Sequence, residues 1–106
     1  MVAVLYRPSS YKIQSFRNNL VKLVEELDSF PGGKVLMGDF NEDIFKSSTI
    51  ADLMEQYKYR QCVKTATTES GTLIDHVYVK DIKNESVQVI PAYYSVHEAI
   101  RFSITP

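Results

Sequence analysis

The chain has 106 residues, a length that predicts one domain over residues 1–106 with a modest hydrophobic core. Hydrophobic residues make up 44% of the chain and charged residues 24%, proportions that are ordinary for a soluble globular protein and weigh against intrinsic disorder. The formal net charge of −1 gives no overall attraction to nucleic acid or to an anionic membrane, although a local basic patch could still bind nucleic acid.

The first half of the chain has the pattern of a strand, a helix and a second strand. Val2 to Tyr6 is an apolar run rich in β-branched residues and predicts a buried strand. Apolar residues recur at helical spacing from Ile13 to Leu27 and predict an amphipathic helix that ends before Pro31. Lys34 to Met37 predicts a second buried strand, which is parallel to the first if the helix is a crossover.

The second half adds one short helix and several strands. Thr49 to Asp52 fits a capping box and predicts a helix start. Tyr59 to Val63 could be a short strand, and Thr72 to Val79 predicts a central strand because neither of its faces is purely polar. Val87 to Ile90 and Ala99 to Ile104 are further strand candidates. The predicted fold class is α/β with a mixed β-sheet.

Compartment can be predicted from the cysteine content and the first residues. The single cysteine, Cys62, cannot form an internal disulfide, which fits a reducing compartment. Met1 to Val4 lacks the basic leader and the cleavage site of a signal peptide, and no apolar run approaches the length of a membrane span. We therefore expect an intracellular protein, nuclear or cytoplasmic, with no membrane partner.

Four polar residues lie at the ends of predicted strands or interrupt an apolar one. Asp39 and Asn41 follow the second strand, Asp75 interrupts an apolar run, and His97 precedes the last strand. Open α/β sheets bind ligands at the carboxyl ends of their strands, so Asp39 and Asn41 lie where a cation or phosphate site is expected. Asp75 needs a partner if it is buried, and His97 is a natural one because a carboxylate fixes the imidazole tautomer.

Each of these residues also has a structural interpretation. Asp39 and Asn41 could be turn residues whose side chains bond nearby backbone amides. Asp75 and the adjacent histidine could form a structural hydrogen bond at a sheet edge. His97 could be a surface or satisfied core residue, and Tyr6, which ends an apolar strand, could belong to the core.

Taken together, four motifs occur in an order that resembles a known family. They are Tyr6-Arg7-Pro8, Gly38-Asp39-Phe40-Asn41, Leu73-Ile74-Asp75-His76 and Ser95-Val96-His97. This order resembles the C-terminal half of the endonuclease/exonuclease/phosphatase superfamily, and the resemblance covers nearly the whole chain. The residues of the Tyr6-Arg7-Pro8 and Gly38-Asp39-Phe40-Asn41 motifs also resemble those of endonuclease domains of transposable elements of the LINE and Helitron-like types.

The resemblance implies a role for each site residue. Asp39 would orient or deprotonate the attacking water and contribute to a metal site, and Asn41 would hold that water or a phosphate oxygen. Tyr6 would contact the scissile phosphate. Asp75 would orient His97, and His97 would stabilise the pentavalent phosphate. A Mg²⁺ or Mn²⁺ ion would polarise the phosphate, and the reaction would be hydrolysis of a phosphodiester bond in DNA.

Two departures from the family pattern lead us to expect an incomplete metal site. Val96 stands where the family carries an aspartate, and valine can neither ligate a cation nor accept a proton. The family also takes its principal metal-binding residues from an N-terminal half, and this chain begins after the place where that half would end. The expected function is a truncated or degenerate metal-dependent phosphodiesterase. The alternative is a noncatalytic interaction or dimerisation module that keeps the nuclease-derived fold.

The resemblance also predicts the layers of the fold and its partners. The family fold is a four-layer sandwich of two α/β halves, packed sheet on sheet with the helices outside. One half alone would carry its helices on one face and expose the other, so we expect a homodimer or a complex with a separate N-terminal half. A third interpretation is an unrelated small α/β domain in which the motifs are accidental.

Overall fold

The computed structural model describes residues 1–46, 48–83, 85–90 and 99–104. Two helices and six strands lie along this part of the chain, and the last four elements are all strands. In chain order they are β1 (Val2–Tyr6), α1 (Ile13–Asp28), β2 (Lys34–Asp39), α2 (Thr49–Gln56), β3 (Arg60–Gln61), β4 (Asp75–Lys80), β5 (Glu85–Ile90) and β6 (Ala99–Ile104). Among the described residues, neither helix is long and apolar enough to cross a membrane.

Four of the strands form a mixed sheet in the order β1-β2-β4-β3. β1 and β2 are parallel, as expected for two strands joined by the crossover helix α1. β4 runs antiparallel to both of its neighbours, β2 and β3. The α/β class, the mixed sheet and the central position of β4 are therefore confirmed. β5 and β6 pair with each other as a separate antiparallel hairpin.

The largest boundary error concerns the start of β4, which begins at Asp75 and not at Thr72. The alternating residues before it do not join the ladder of β4, because side chains from two loops bind their amides. The amide of Leu73 donates to Asp43 Oδ1 at 2.9 Å, and that of Ile74 donates to Thr67 Oγ1 at 3.1 Å. Hydrogen bonds to side chains thus replace part of the predicted strand.

The start of α2 is at Thr49 as predicted, but the predicted cap is wrong. Ser48 is the N-cap residue, and its Oγ accepts from the amide of Ala51 at 2.9 Å. The carboxylate of Glu42, from the loop after β2, accepts from the amide of Ile50 at 2.8 Å and from the Ser48 hydroxyl at 2.6 Å. A distant acid therefore satisfies a second amide donor in the first turn of the helix.

Both helices pack on the same face of the sheet, which we call the helix face. One cluster of buried side chains joins α1 and α2 to β2 and β4: Phe16, Leu20, Val24, Leu36, Ile50, Leu53, Met54 and Tyr78. Alternate residues of a strand point to opposite faces, so Leu36 and Tyr78 mark the helix face of their strands. The expected placement of helices on one face agrees with this packing.

The opposite side, which we call the second face, is only partly covered. Val35, Val77 and Val79 are buried there in a second cluster, against which Ile100 of the hairpin packs. Its β1 section is open, because Val2 and Val4 are 62% and 71% exposed. Apolar exposure on the second face is therefore concentrated on the edge strand β1.

Candidate functional site

Three of the predicted site residues lie side by side in one row across the sheet. Asp39 ends β2, where its backbone is paired with Tyr6 of β1 on one side and with Asp75 of β4 on the other. Paired residues on adjacent strands have side chains on the same face, with Cβ atoms about 4.5–5.5 Å apart in an antiparallel pair. Residues separated by about 35 positions in sequence thus meet at one end of the sheet. We call Tyr6, Asp39 and Asp75 the polar row.

The polar row lies on the second face, away from the helices. Met37, two residues before Asp39, packs against the cluster of that face, and Val77, two residues after Asp75, belongs to it. The two carboxylates line an open cavity of about 220 Å³ together with apolar side chains that include Met37 and Ile100. Tyr6 is 65% exposed, so its phenol is accessible to a ligand and is not core. The row is reachable by a solvent-borne substrate.

Asn41 is held in a turn that ties β2 to β1. Its backbone amide donates to Asp39 Oδ1 at 3.0 Å, and its side-chain Nδ2 donates to the carbonyl oxygen of Arg7 at 2.6 Å. Its φ of 50° is in the left-handed region, which asparagine tolerates better than most residues. These contacts match the structural interpretation of Asn41, and they place its side chain next to the polar row and not within it.

Arg7 is a site-supporting residue for which the sequence predicted no role. Its side chain is 8% exposed, and its guanidinium donates to three carbonyl oxygens. They belong to Phe40 at 2.7 Å, Tyr11 at 2.6 Å and Asn41 at 2.8 Å. Arg7 therefore clamps the loop after β2 against the loop after β1. The position of Arg7 directly after an apolar strand indicated this role only weakly, because its carbonyl partners are set by the fold and cannot be identified from the sequence.

His76 packs beneath the row on the helix face and is fully buried. Its Nε2 lies 2.8 Å from the carbonyl oxygen of Glu42, which can only accept, so Nε2 carries the proton. Nδ1 then accepts from the hydroxyl of Tyr78 at 2.7 Å. Burial lowers the pKa of His76 and raises that of Tyr78. His76 is thus a neutral structural residue that stacks on Phe40 with ring centroids 4.9 Å apart.

Asp75 is positioned through its backbone by a buried threonine. The Oγ1 of Thr67, a residue that is not exposed at all, accepts from the amide of Asp75 at 3.2 Å. Nothing in the sequence pattern predicted this role for Thr67. The predicted partner of Asp75, His97, lies outside the described residues, as does Val96. The pairing of Asp75 with His97 therefore stays a prediction.

The donor set of the row can be compared with what a divalent cation needs. The described residues contain no group of three or more histidine, cysteine, aspartate or glutamate side chains placed to hold a metal. Mg²⁺, however, commonly uses one or two protein carboxylates and completes its shell with water and substrate phosphate. Asp39 and Asp75 bring two carboxylates to one end of the sheet, and Asp39 is the one for which a metal contact was predicted. A bound ion would supply polarisation of a phosphate oxygen.

No protein-family model, no curated protein and no solved structure matches this chain.

Proposed function

We propose that this chain is a phosphodiesterase-like domain, active or degenerate, derived from a metal-dependent DNA endonuclease. The polar row carries the proposal, because two carboxylates and an accessible phenol come together at one end of the sheet. Carboxylates that face each other from neighbouring strands are the kind of oxygen donors that a divalent cation binds. A phosphodiester that carries a metal ion would contact the carboxylates through the ion and the phenol through a phosphate oxygen.

The chemistry of each member of the row follows from its functional group. Asp39 orients a water molecule and takes its proton as the water oxygen bonds to phosphorus and the bond from phosphorus to the leaving sugar oxygen breaks. Tyr6 donates its phenolic hydrogen to a phosphate oxygen. Asp75 orients the imidazole of His97, which stabilises the charge that develops on the phosphorane oxygens. Arg7 and Asn41 fix the loop that begins at Asp39.

Plasmid DNA is expected to be nicked in the presence of Mg²⁺ or Mn²⁺, with loss of about a hundredfold or more in rate for Asp39→Asn. Asparagine keeps an Oδ1 atom that accepts from the Asn41 amide, so the turn is preserved while the base is removed. Glu55→Gln, an exposed position on α2, is the charge-matched control and should nick at the wild-type rate. Absence of nicking by the wild-type chain at high protein and metal concentration would contradict catalysis by this chain.

A second candidate function is a noncatalytic interaction module, and the exposed β1 residues favour it. Val2 and Val4 present apolar side chains on the second face next to Tyr6, and apolar strands of this kind usually have cover on both sides. Two copies packed through their second faces, or one copy packed on a separate N-terminal half, would supply that cover.

Val4→Lys tests the homodimer form of this second candidate. Light scattering at micromolar concentration should find a dimer for the wild-type chain and a monomer for Val4→Lys, because a charge would then be buried in the interface. Phe30→Lys replaces an apolar side chain that is 43% exposed outside the sheet and should leave the dimer intact. A wild-type chain that is monomeric under these conditions contradicts the homodimer.

A further inference from the structure

The four-stranded sheet has two edges, and they differ in length and in character. β3 forms one edge with two polar residues, Arg60 and Gln61, whereas β1 forms the other with five residues, Val2–Tyr6. Natural sheets protect an exposed edge with a very short strand, a charged residue, a proline or a bulge. β3 is protected by its length. β1 carries none of these devices, because its residues are uncharged and pair with β2 without interruption.

The hydrogen bonds between β1 and β2 determine which backbone groups of β1 reach its open side. The carbonyl oxygen of Met1 accepts from the amide of Val35 at 2.9 Å, and the amide of Arg7 donates to the carbonyl oxygen of Asp39 at 2.8 Å. Odd-numbered residues thus bond to β2, and the even-numbered residues of β1 direct their amides and carbonyls away from it. These outward-facing residues are Val2, Val4 and Tyr6. Among the described residues, no strand pairs with them on that side.

Apolar side chains flank this open edge on both faces of the sheet. On the second face, Val2, Val4 and Tyr6 are all exposed. On the helix face, an open groove of about 240 Å³ lies beside β1, where Leu5 meets α1. The other residues that line this groove are Phe16, Asn19, Leu20 and Leu23. A strand added to the edge would therefore cover apolar surface on both faces while it satisfies the outer backbone groups.

The sequence of β1 is complementary to itself when a second copy runs in the opposite direction. If Val4 faces Val4 of the second copy, Val2 lies opposite Tyr6, and all outer backbone groups of the two strands pair. An aromatic ring opposite a β-branched side chain is a favourable cross-strand pair. On the helix face the same alignment places the small Ala3 opposite the larger Leu5. No charged side chain of either strand meets a like charge in this arrangement.

We propose that two copies of this chain pair through their β1 edges, antiparallel to each other, and so form one continuous sheet. Each facing pair of outer residues exchanges two hydrogen bonds, which gives about six in all. A five-residue strand is small beside the roughly 800 Å² that each partner buries in a standard interface. We therefore expect a dimer that forms at micromolar concentration. This pairing goes beyond the proposed hydrolysis and requires neither metal nor catalysis.

Edge pairing differs from packing of the second faces in what happens to the polar row. The twofold axis of paired β1 strands is perpendicular to the sheet, so both second faces lie on the same side of the joined sheet. The cavity at Asp39 and Asp75 then stays open in both copies. Packing of one second face on another would instead cover these carboxylates. Edge pairing is therefore compatible with a substrate at the polar row.

Oxidative cross-linking of single cysteines tests both the pairing and its register. In a Cys62→Ser background, Val4→Cys is expected to give a disulfide-linked dimer, because facing Cα atoms in an antiparallel hydrogen-bonded pair lie about 5.5 Å apart. Val2→Cys is the matched control, at another exposed valine of the same strand and face. It should cross-link about tenfold more slowly, because its equivalent in the second copy lies about 13 Å further along the strand, beyond the reach of a disulfide.

Val4→Pro separates edge pairing from packing of the second faces, whereas Val4→Lys weakens either kind of dimer. The amide of Val4 faces away from β2, so proline keeps the hydrogen bonds of the sheet and an apolar side chain on the second face. It removes one outer donor, and its ring obstructs a strand alongside. Light scattering at micromolar concentration should find a dimer for the wild-type chain and a monomer for Val4→Pro. The circular dichroism of the two should agree.

Three outcomes would overturn the proposal. They are a monomeric wild-type chain, which would leave this edge to another kind of partner, a folded Val4→Pro variant that is still dimeric, and equal cross-linking of Val4→Cys and Val2→Cys. If Val4→Pro does not fold, the two cysteine variants alone decide the matter. An edge-paired dimer that never nicks plasmid keeps this proposal and loses catalysis by this chain, whereas nicking by a monomer does the reverse.

Discussion

Gly38→Ala is expected to lower the free energy of unfolding by about 3 kcal/mol or more. Gly38 has φ of 152°, a conformation that residues with a side chain rarely adopt. It is paired with Leu5 across the parallel strands, and a Cβ atom built there would overlap the carbonyl oxygen of Leu5. Because the obstacle is backbone, no rotamer change relieves it, and β1 must move away from β2.

Denaturant unfolding measures this loss, and Gly71→Ala provides the matched control. Gly71 also has a positive φ, of 89°, but a Cβ there would meet nothing within 4 Å. Its replacement should cost only the conformational strain, about 1 kcal/mol. If Gly38→Ala and Gly71→Ala lower the free energy of unfolding equally, the close approach to Leu5 is not the reason that position 38 requires glycine. The glycine that precedes Asp39 would then have no special part in building the polar row.

Local patterns were sufficient to predict the positions of the first strand, the helix and the second strand. The predicted burial of β1 was wrong, because β1 is an edge strand in which Val2 and Val4 are 62% and 71% exposed. The helical spacing from Ile13 onward and the stop at Pro31 lie within one segment of chain, and α1 ends at Asp28 as expected. The parallel pairing of β1 with β2 followed from the crossover rule alone. These features depend on neighbours in sequence, which is why they could be predicted without the fold.

Features that depend on distant partners could not be predicted in the same way. Leu73 alternates with Asp75 as in a strand, yet Asp43, 30 residues away, accepts from the amide of Leu73. Glu42 takes over part of the capping of α2 from outside the helix. In both cases a loop side chain competes with regular structure, and its position is fixed only by the folded chain.

In the candidate site too, some features could be predicted from local sequence and others depend on distant contacts. Asp39 and Asp75 were predicted from their positions at a strand end and within an apolar run, and Tyr6 from the resemblance of its motif. The register that aligns the three in one row is a property of the sheet. The roles of Asn41 and Arg7 were hidden because each bonds to the other across 34 positions of sequence. Residue types indicated the chemistry, and tertiary pairing determined which residues meet.

Arg7→Met is expected to lower the free energy of unfolding by about 4 kcal/mol, because a single change removes the partner of three carbonyl oxygens. Methionine retains the apolar stem but donates no hydrogen bond, so buried carbonyls such as that of Phe40 lose their charged donor. Arg7→Lys should recover only part of the loss, since one ammonium cannot reach three oxygens as a planar guanidinium does. Denaturant unfolding of the variants gives the comparison.

Arg17→Met is the control that separates this clamp from the general cost of removing an arginine. Within the described residues, Arg17 Nε is buried without a hydrogen-bond partner, so its replacement on α1 should be neutral or slightly stabilising. Arg7→Met should also loosen the turn at Asn41 and lower any Mg²⁺-dependent nicking, whereas Arg17→Met should leave it unchanged. Similar stability losses for Arg7→Met and Arg17→Met would contradict the clamp, because only Arg7 joins the two loops that border the polar row.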